Sequence, residues 1–368
     1  MREYLLVLLV AAGVTYLLAG LCRRIAVRTG MLAPVRSRDV HTFPIPYLGG
    51  VAMLGGLAVA FLLALQMPFL GRYAVVAHDA YAVLWAGLVI CVVGVLDDKY
   101  DLPPLVKFAG QITAAGVAVA GGVRLYWIPL PDRIVGLDPA SSIMITVVVI
   151  ALCVNAVNMV DGLDGLAAGV VAIGSGAFFA YTYVLAYEQE LVRSTTASLV
   201  TVATCGIALG FLLHTWHPAK MFMGDTGAML LGLLVAMSAI SYTGQLDPGA
   251  VSSGSDVLPA LLPILLPIAV LALPLLDLVM AWVRRASRGQ HPFSADKQHL
   301  HHRLLERGHS HRGAVLLMYA WTAAASFGVV AIALTRQLMV VALVVVALVL
   351  LVFLTRRPFI TTQEDGRG

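Results

Sequence analysis

Five aspartates lie in short polar breaks between long apolar segments: Asp97, Asp98, Asp161, Asp164 and Asp225. A carboxylate next to lipid is costly, so several of them on one side of a membrane indicate a functional site. Acidic groups without a compensating basic core are typical of a divalent-cation site. The three breaks that carry them, and one histidine cluster, are the candidate chemical groups of the chain.

The first break places Asp97 and Asp98 at a predicted helix end, with Asp101 one turn further on. Adjacent carboxylates repel each other, so the pair suits a base or a metal site. Alone it would better fit a solvated helix terminus. Lys107 and Gln111 follow on one helical stripe, and with them the segment favours a phosphate-binding site.

The second break aligns Asn155, Asn158 and Asp161 at a spacing of three residues, on one stripe of a helix. Asp164 follows, and two glycines let the backbone turn tightly. A helix cap would explain either aspartate alone, but not four polar residues at one helix mouth. Oxygen-bearing side chains at this spacing suit Mg²⁺ or a sugar nucleotide.

The third break is Phe222-Met-Gly-Asp225-Thr-Gly227, where a carboxylate leads into an apolar segment. Asp225 could simply cap the following helix. Phe222 is either an interfacial anchor or a ring on which a base stacks.

Three histidines cluster at His299, His301 and His302. Donation to phosphate and sugar hydroxyls is favoured over a transition-metal site, because clustered histidines alone are weak support for a metal. We expect His309 and His311 to lie on a solvated helix.

Composition predicts an all-α polytopic membrane protein. The 368 residues are 60% apolar and 12% charged, whereas a soluble domain carries about 25% charge. Apolar runs of roughly 18 to 25 residues are long enough to span a bilayer. They predict eleven transmembrane helices, at Tyr4–Leu21, Tyr47–Gln66, Ala80–Leu96, Pro104–Gly122, Ser142–Asn158, Leu163–Tyr187, Thr195–His214, Met221–Tyr242, Val257–Val283, Ala314–Thr335 and Leu338–Leu354.

The basic residues predict the orientation. With loops on alternating sides, three-quarters of the 24 lysines and arginines fall on one side, which is therefore cytoplasmic. The N-terminus is then outside, the C-terminus is cytoplasmic, and all five aspartates lie at the cytoplasmic face. We expect one membrane domain over residues 1–368, with a histidine-containing cytoplasmic loop at 284–313 and a cytoplasmic tail at 355–368.

Asp277 and the cysteines lie outside these motifs. Asp277 lies inside the ninth predicted span, where it binds a ligand or pairs with an arginine. The four cysteines form no Cys-x-x-Cys motif, and we expect them to be small packing residues.

In this order and topology, the motifs resemble the polyprenyl-phosphate N-acetylhexosamine-1-phosphate transferases. The resemblance covers nearly the whole chain and rests on Asp97-Asp98-x-x-Asp101, Asn155 to Gly165, Phe222-Met-Gly-Asp225 and Asp296-Lys-Gln-His-Leu-His-His302. The His-Leu-His-His form is similar to the branch that uses UDP-N-acetylglucosamine. Thr215 and His41 differ from the usual residues of the family, and no role is assigned to them.

The resemblance implies transfer of N-acetylglucosamine 1-phosphate from UDP-N-acetylglucosamine to a membrane polyprenyl phosphate, with release of UMP. This would be the first membrane step of cell-wall polymer or surface glycan assembly, in the plasma membrane of a bacterium. The implied cofactor is Mg²⁺, with Mn²⁺ as a substitute, held by Asp225 and Asn158. The implied catalytic residues are Asp97, Asp98, Asp225 and His299. The implied substrate contacts are Lys107, Gln111, Asn155, Asp161, Asp164, Phe222, His301 and His302.

Membrane lipids and, by analogy, a second copy of the chain in a homodimer are the remaining implied partners, and no nucleic acid is expected. A secondary transporter would instead place its polar sites near the bilayer midplane and show an inverted repeat. A CDP-alcohol phosphotransferase would need a tight run of aspartates on one helix pair. Direct attack and a two-step route through an aspartyl-phosphate both stay open.

Overall fold

In a computed structural model the chain forms a bundle of long apolar helices. The structure describes residues 1–32, 44–129, 134–188, 194–243, 304–335 and 337–356, with a few isolated residues between 244 and 303. The helices are α1 (Arg2–Thr29), α2 (Gly49–Ala64), α3 (Ala74–Tyr100), α4 (Pro104–Ala120), α5 (Pro139–Val160), α6 (Leu166–Glu188), α7 (Ser194–Thr215), α8 (Gly224–Thr243), α9 (His311–Thr335) and α10 (Leu338–Arg356).

Eight helices in the described part of the chain are long and apolar enough to cross a membrane: α1, α3 and α5 to α10. The apolar helices α2 and α4 are shorter, at 16 and 17 residues. Ten predicted spans therefore correspond to helices, and the polytopic helical architecture is confirmed. The ninth predicted span, Val257–Val283, and Asp277 within it lie outside the described residues.

Within the described residues, a short antiparallel hairpin departs from the expected all-helical structure. Strand β1 (Trp127–Pro129) pairs with β2 (Ile134–Gly136), with Trp127 opposite Gly136. The hairpin connects the end of α4 to the start of α5, where Asp138 accepts hydrogen bonds from the first two free backbone N–H groups of α5. It therefore lies at the end of the bundle opposite the start of α4.

Helix α8 is the centre of the bundle. Every residue from Thr226 to Thr243 is buried, against α2, α3, α5 and α7. Two of these contacts need glycine, because a Cβ at Gly94 would lie 2.3 Å from the Cα of Thr226, and one at Gly232 would lie 2.5 Å from the Cα of Val154. Small residues of this kind allow membrane helices to approach closely. The approach at Gly94 brings the carboxyl end of α3 against the first turn of α8.

The polar breaks meet at one end of this bundle. It receives the carboxyl ends of α3 and α5 and the amino ends of α4 and α8, which carry the first, second and third breaks. The four cysteines are buried and free, as expected for packing residues.

Candidate active site

Lys107 joins the carboxylates of two helices. Its Nζ lies 2.7 Å from Oδ2 of Asp97 and 2.7 Å from Oδ2 of Asp225. The other oxygen of Asp97 accepts the backbone N–H of Leu102 at 3.0 Å, and the Asp97 side chain is only 5% exposed. A solvated helix terminus therefore does not describe Asp97. Two carboxylates and one ammonium group leave a net negative charge at this point.

Asp98 holds the amino end of α8. Its Oδ1 accepts the N–H of Asp225 at 2.7 Å, and its Oδ2 accepts the hydroxyl and the N–H of Thr226 at 2.6 and 3.2 Å. Gly224 is required beside it, because its φ is +68° and a Cβ there would lie 2.4 Å from Asp98 Oδ2. The aspartate that caps α8 is thus Asp98 from α3 and not Asp225, which leaves the Asp225 carboxylate for other partners.

Asp225 also contacts Asn158, whose side-chain amide donates to Asp225 Oδ1. The Asp225 side chain is 36% exposed, far more than that of Asp97. Amide oxygen and nitrogen exchange places when the Asn158 amide turns by half a rotation, so this side chain offers an oxygen at the same position. A carboxylate beside an amide oxygen, with a net negative charge around them, fits the ligand preference of Mg²⁺.

Gln111 and Asn155 pair with each other one helical turn deeper. Asn155 Nδ2 donates to Gln111 Oε1 at 2.7 Å and to the carbonyl of Ala151 at 2.8 Å, and Gln111 is 1% exposed. These bonds tie α4 to α5 directly beneath Lys107 and Asn158. The direct substrate contacts expected of this pair stay a prediction.

Asp161 lies at the carboxyl end of α5, half-buried and close to the other acids. Burial, together with the negative charges of Asp225, Asp98 and Asp164, raises the pKa of Asp161 to about 8. Its ionised form is therefore disfavoured until a cation or a hydrogen-bond donor approaches it.

Asp164, in contrast, is directed at the loop before α8. Its Oδ2 lies 2.7 Å from His217 Nδ1 and accepts the N–H of Ala219 at 3.1 Å, and the residue is 4% exposed. Its backbone N–H donates to His311 Nε2 at 3.2 Å. The expectation that His309 and His311 lie on a solvated helix is wrong, because His309 is 4% exposed and the first turn of α9 packs on the turn after α5.

Phe222 is fixed against the start of α2. Its N–H donates to the carbonyl of Pro46 at 3.0 Å, its carbonyl accepts the N–H of Gly49 at 3.3 Å, and its ring centroid lies 6.3 Å from that of Tyr47. Stacking of a base on this half-buried ring stays a prediction. His299, His301, His302 and His41 lie outside the described residues.

Sequence reasoning assigned no role to three residues that contact the site. Thr226 follows Asp225 within its motif, and a hydroxyl in a first helical turn was the available signal. His217 and His311 meet Asp164 across gaps of 53 and 147 residues, and a single sequence carries no pattern that pairs them.

Comparison with known proteins finds one family profile and several similar proteins. The profile of glycosyl transferase family 4 matches residues 80–243. The chain is 43% identical, over 97% of its length and 90% of the relative's, to a decaprenyl-phosphate N-acetylglucosaminephosphotransferase of Mycolicibacterium smegmatis. It is 45% identical, over 89% of its length and 82% of the relative's, to the protein of that name from Mycobacterium tuberculosis. It is 34% identical, over 81% of its length and 76% of the relative's, to a probable undecaprenyl-phosphate N-acetylglucosaminyl 1-phosphate transferase of Bacillus subtilis.

Proposed function

Because the chain belongs to glycosyl transferase family 4, and within it to the polyprenyl-phosphate N-acetylglucosamine phosphotransferases, we propose that its donor is UDP-N-acetylglucosamine. Membership makes the chain a membrane phosphotransferase, and the proposal concerns its donor, its metal and its place in the cell. The products are UMP and a polyprenyl-diphosphate-N-acetylglucosamine, on which a cell-wall polymer or surface glycan is then built.

The reaction exchanges one diphosphate linkage for another. An oxygen of the polyprenyl phosphate attacks the β-phosphorus of the donor, and the bond from that phosphorus to the bridging oxygen breaks. UMP leaves with the bridging oxygen, so no second energy source is consumed. Phosphoryl transfer of this type depends on positioning and charge neutralisation more than on covalent chemistry of the protein.

Asp225 and Asn158 are the residues that would hold Mg²⁺, which neutralises diphosphate charge when it is bound. Lys107 neutralises one of the two carboxylates that it touches and can reach a phosphate oxygen from the same position. The attacking phosphate is already an anion at neutral pH. Asp97 is therefore proposed to orient that phosphate and to accept its last proton where one is present.

We place the site at the cytoplasmic face of a bacterial plasma membrane. Supporting this, Arg23 at the end of α1 donates to the carbonyl of Lys220, and Arg312 at the start of α9 donates to that of His217. These basic residues thus lie at the same end of the bundle as the acids. Basic loops favour the cytoplasmic side and attract phosphate-bearing substrates.

The observation that carries the proposal is the meeting of Asp97, Lys107, Asn158 and Asp225, from four helices, at one point. The test uses purified full-length protein in detergent with Mg²⁺, polyprenyl phosphate and one UDP-sugar at a time. We expect equimolar UMP and polyprenyl-diphosphate-N-acetylglucosamine from UDP-N-acetylglucosamine, and little product from UDP-N-acetylgalactosamine or UDP-glucose.

A reaction without the lipid acceptor is the control. UMP release in its absence would indicate a hydrolase. Equal turnover of another UDP-sugar would refute the proposed donor, and no lipid product from a folded protein would refute the proposed reaction.

A further inference from the structure

The loop between α7 and α8, residues 216–223, leads directly into Asp225. One buried oxygen, Oδ2 of Asp164, accepts two hydrogen bonds from this loop: from His217 Nδ1 at 2.7 Å and from the N–H of Ala219 at 3.1 Å. The two donor residues, His217 and Ala219, lie eight and six residues before Asp225. The Asp164 carboxylate therefore holds the loop that precedes Asp225.

Two arginines hold the outer side of the same loop. Arg23 from α1 donates to the carbonyl of Lys220 at 3.1 Å, and Arg312 from α9 donates to the carbonyl of His217 at 3.0 Å. These arginines are exposed, whereas Asp164 is 4% exposed. A buried polar group that loses its hydrogen-bond partner costs more than an exposed one, which water can satisfy, so Asp164 is the principal anchor of the loop.

The histidine tautomers follow from the contacts. A carboxylate oxygen can only accept, so Nδ1 of His217 carries the proton that it shares with Asp164. The backbone N–H of Asp164 donates to Nε2 of His311, so Nε2 of His311 carries none. The two rings stack at 4.1 Å with planes 19° apart, which fixes the plane of the His217 ring.

A transition-metal site is a poor description of this group, although its ligand atoms lie within 4.8 Å of one another. The lone pairs of an imidazole lie in the ring plane, and two stacked rings direct them side by side and not at one point. Nδ1 of His217 and Nε2 of His311 are also already engaged in the bonds described above.

We infer that Asp164 is a positioning residue: through His217 and Ala219 it fixes the loop that sets Asp225. The direct nucleoside contact expected from the sequence stays a prediction. The inference rests on the proposed function for its activity readout only. It predicts that the hydrogen-bond acceptor matters more than the negative charge, since one oxygen, Oδ2, receives both of the bonds from this loop.

Two pairs of variants test this on the full-length protein. Asp164→Ala should lower kcat/KM by about 10- to 100-fold, as loss of a group that orients a metal ligand does, and should raise the Mg²⁺ concentration for half-maximal activity. Asp164→Asn keeps an oxygen acceptor and should restore most activity. His217→Asn, with an N–H at the position of Nδ1, should retain more activity than His217→Gln, with an N–H at the position of Nε2.

Asp164→Asn as slow as Asp164→Ala would overturn the inference, because the charge would then be needed. His217→Gln outperforming His217→Asn would overturn it as well, because the outer ring nitrogen would then be the functional one.

An accessibility measurement tests the loop without any substrate. The native cysteines are buried, so a maleimide reports on Ala219→Cys alone. We expect several-fold faster labelling when Asp164→Ala is added and no change when Asp164→Asn is added. Lys220→Cys, at an exposed position, is the matched control and should label equally in all backgrounds. An unchanged rate at residue 219 in the Asp164→Ala background would refute the anchor, whatever the outcome of the transfer assay.

Discussion

Replacing Asp98 tests whether this aspartate holds α8 or takes part in the chemistry. The structure gives it three donors: the N–H of Asp225 at 2.7 Å, and the hydroxyl and N–H of Thr226 at 2.6 and 3.2 Å. Loss of a helix cap costs about 0.5–2 kcal/mol, and a hydrogen bond to a charged group is worth about 1.5–3 kcal/mol. Water can reach part of this half-buried end, so we expect about 2 kcal/mol for Asp98→Ala.

A loss of about 2 kcal/mol in the orientation of Asp225 corresponds to roughly 30-fold in kcat/KM, since about 1.4 kcal/mol is tenfold. Thr226→Val removes only the hydroxyl donor and should cost about 1 kcal/mol, or roughly fivefold. Asp98→Asn keeps one oxygen acceptor but turns an amide N–H₂ toward a backbone donor. Its loss of kcat/KM should therefore lie between those of Thr226→Val and Asp98→Ala.

The assay is UMP release in parallel with the melting temperature in detergent. We expect activity and melting temperature to fall together, in the order Thr226→Val, Asp98→Asn, Asp98→Ala. An Asp98→Asn protein that is as inactive as Asp98→Ala, with an unchanged melting temperature, would refute the structural role and indicate that the Asp98 carboxylate acts on the substrate.

Three further outcomes follow from single contacts. Lys107→Met leaves two carboxylates without their shared ammonium group, so UMP release should fall more than tenfold and recover in part with added Mg²⁺; wild-type rates would refute the bridge. Gly94→Ala should lower the melting temperature, as overpacking costs about 1–3 kcal/mol, whereas Gly116→Ala, with open space around it, should not; equal effects would contradict the packing. The pKa of Asp161 is raised to about 8 in the folded protein, so its ionisation opposes folding increasingly up to that pH and fully above it. In EDTA, Asp161→Asn should therefore melt above the wild type at pH 9 and near it at pH 5; a constant gap would contradict this.

Much of the candidate site was predictable because carboxylate and amide side chains are rare at the ends of long apolar segments. A carboxylate at the end of an apolar segment is costly, so the aspartates and Asn158 were conspicuous, and charge bias put them on one side. The stripe that links Lys107 to Gln111 was also right, because helical spacing is a local property. The midplane site of a transporter is not seen, since the described acids lie at helix ends.

Which contact each aspartate makes was not predictable from the sequence. The sequence made Asp225 a candidate helix cap, yet Asp98 provides the cap from another helix, because Gly94 lets α3 touch the first turn of α8. Asp164 resembled a ligand-binding acid, and the structure adds two partners from the loop before α8, 53 and 55 residues away. Which acceptor satisfies which donor depends on helix packing, and a single sequence does not encode packing locally.

The Mg²⁺ dependence of UMP release, measured for the wild type and for Asp225→Asn with saturating UDP-N-acetylglucosamine and polyprenyl phosphate, tests the joint role of these side chains most directly. We expect the wild type to show saturable dependence on Mg²⁺ and none of its activity in EDTA. Asp225→Asn, with an intact melting profile, should need at least tenfold more Mg²⁺ and turn over at least 100-fold more slowly, since both the carboxylate charge and the Lys107 pair are lost. An Asp225→Asn protein with the Mg²⁺ dependence and rate of the wild type would contradict the assignment of this site.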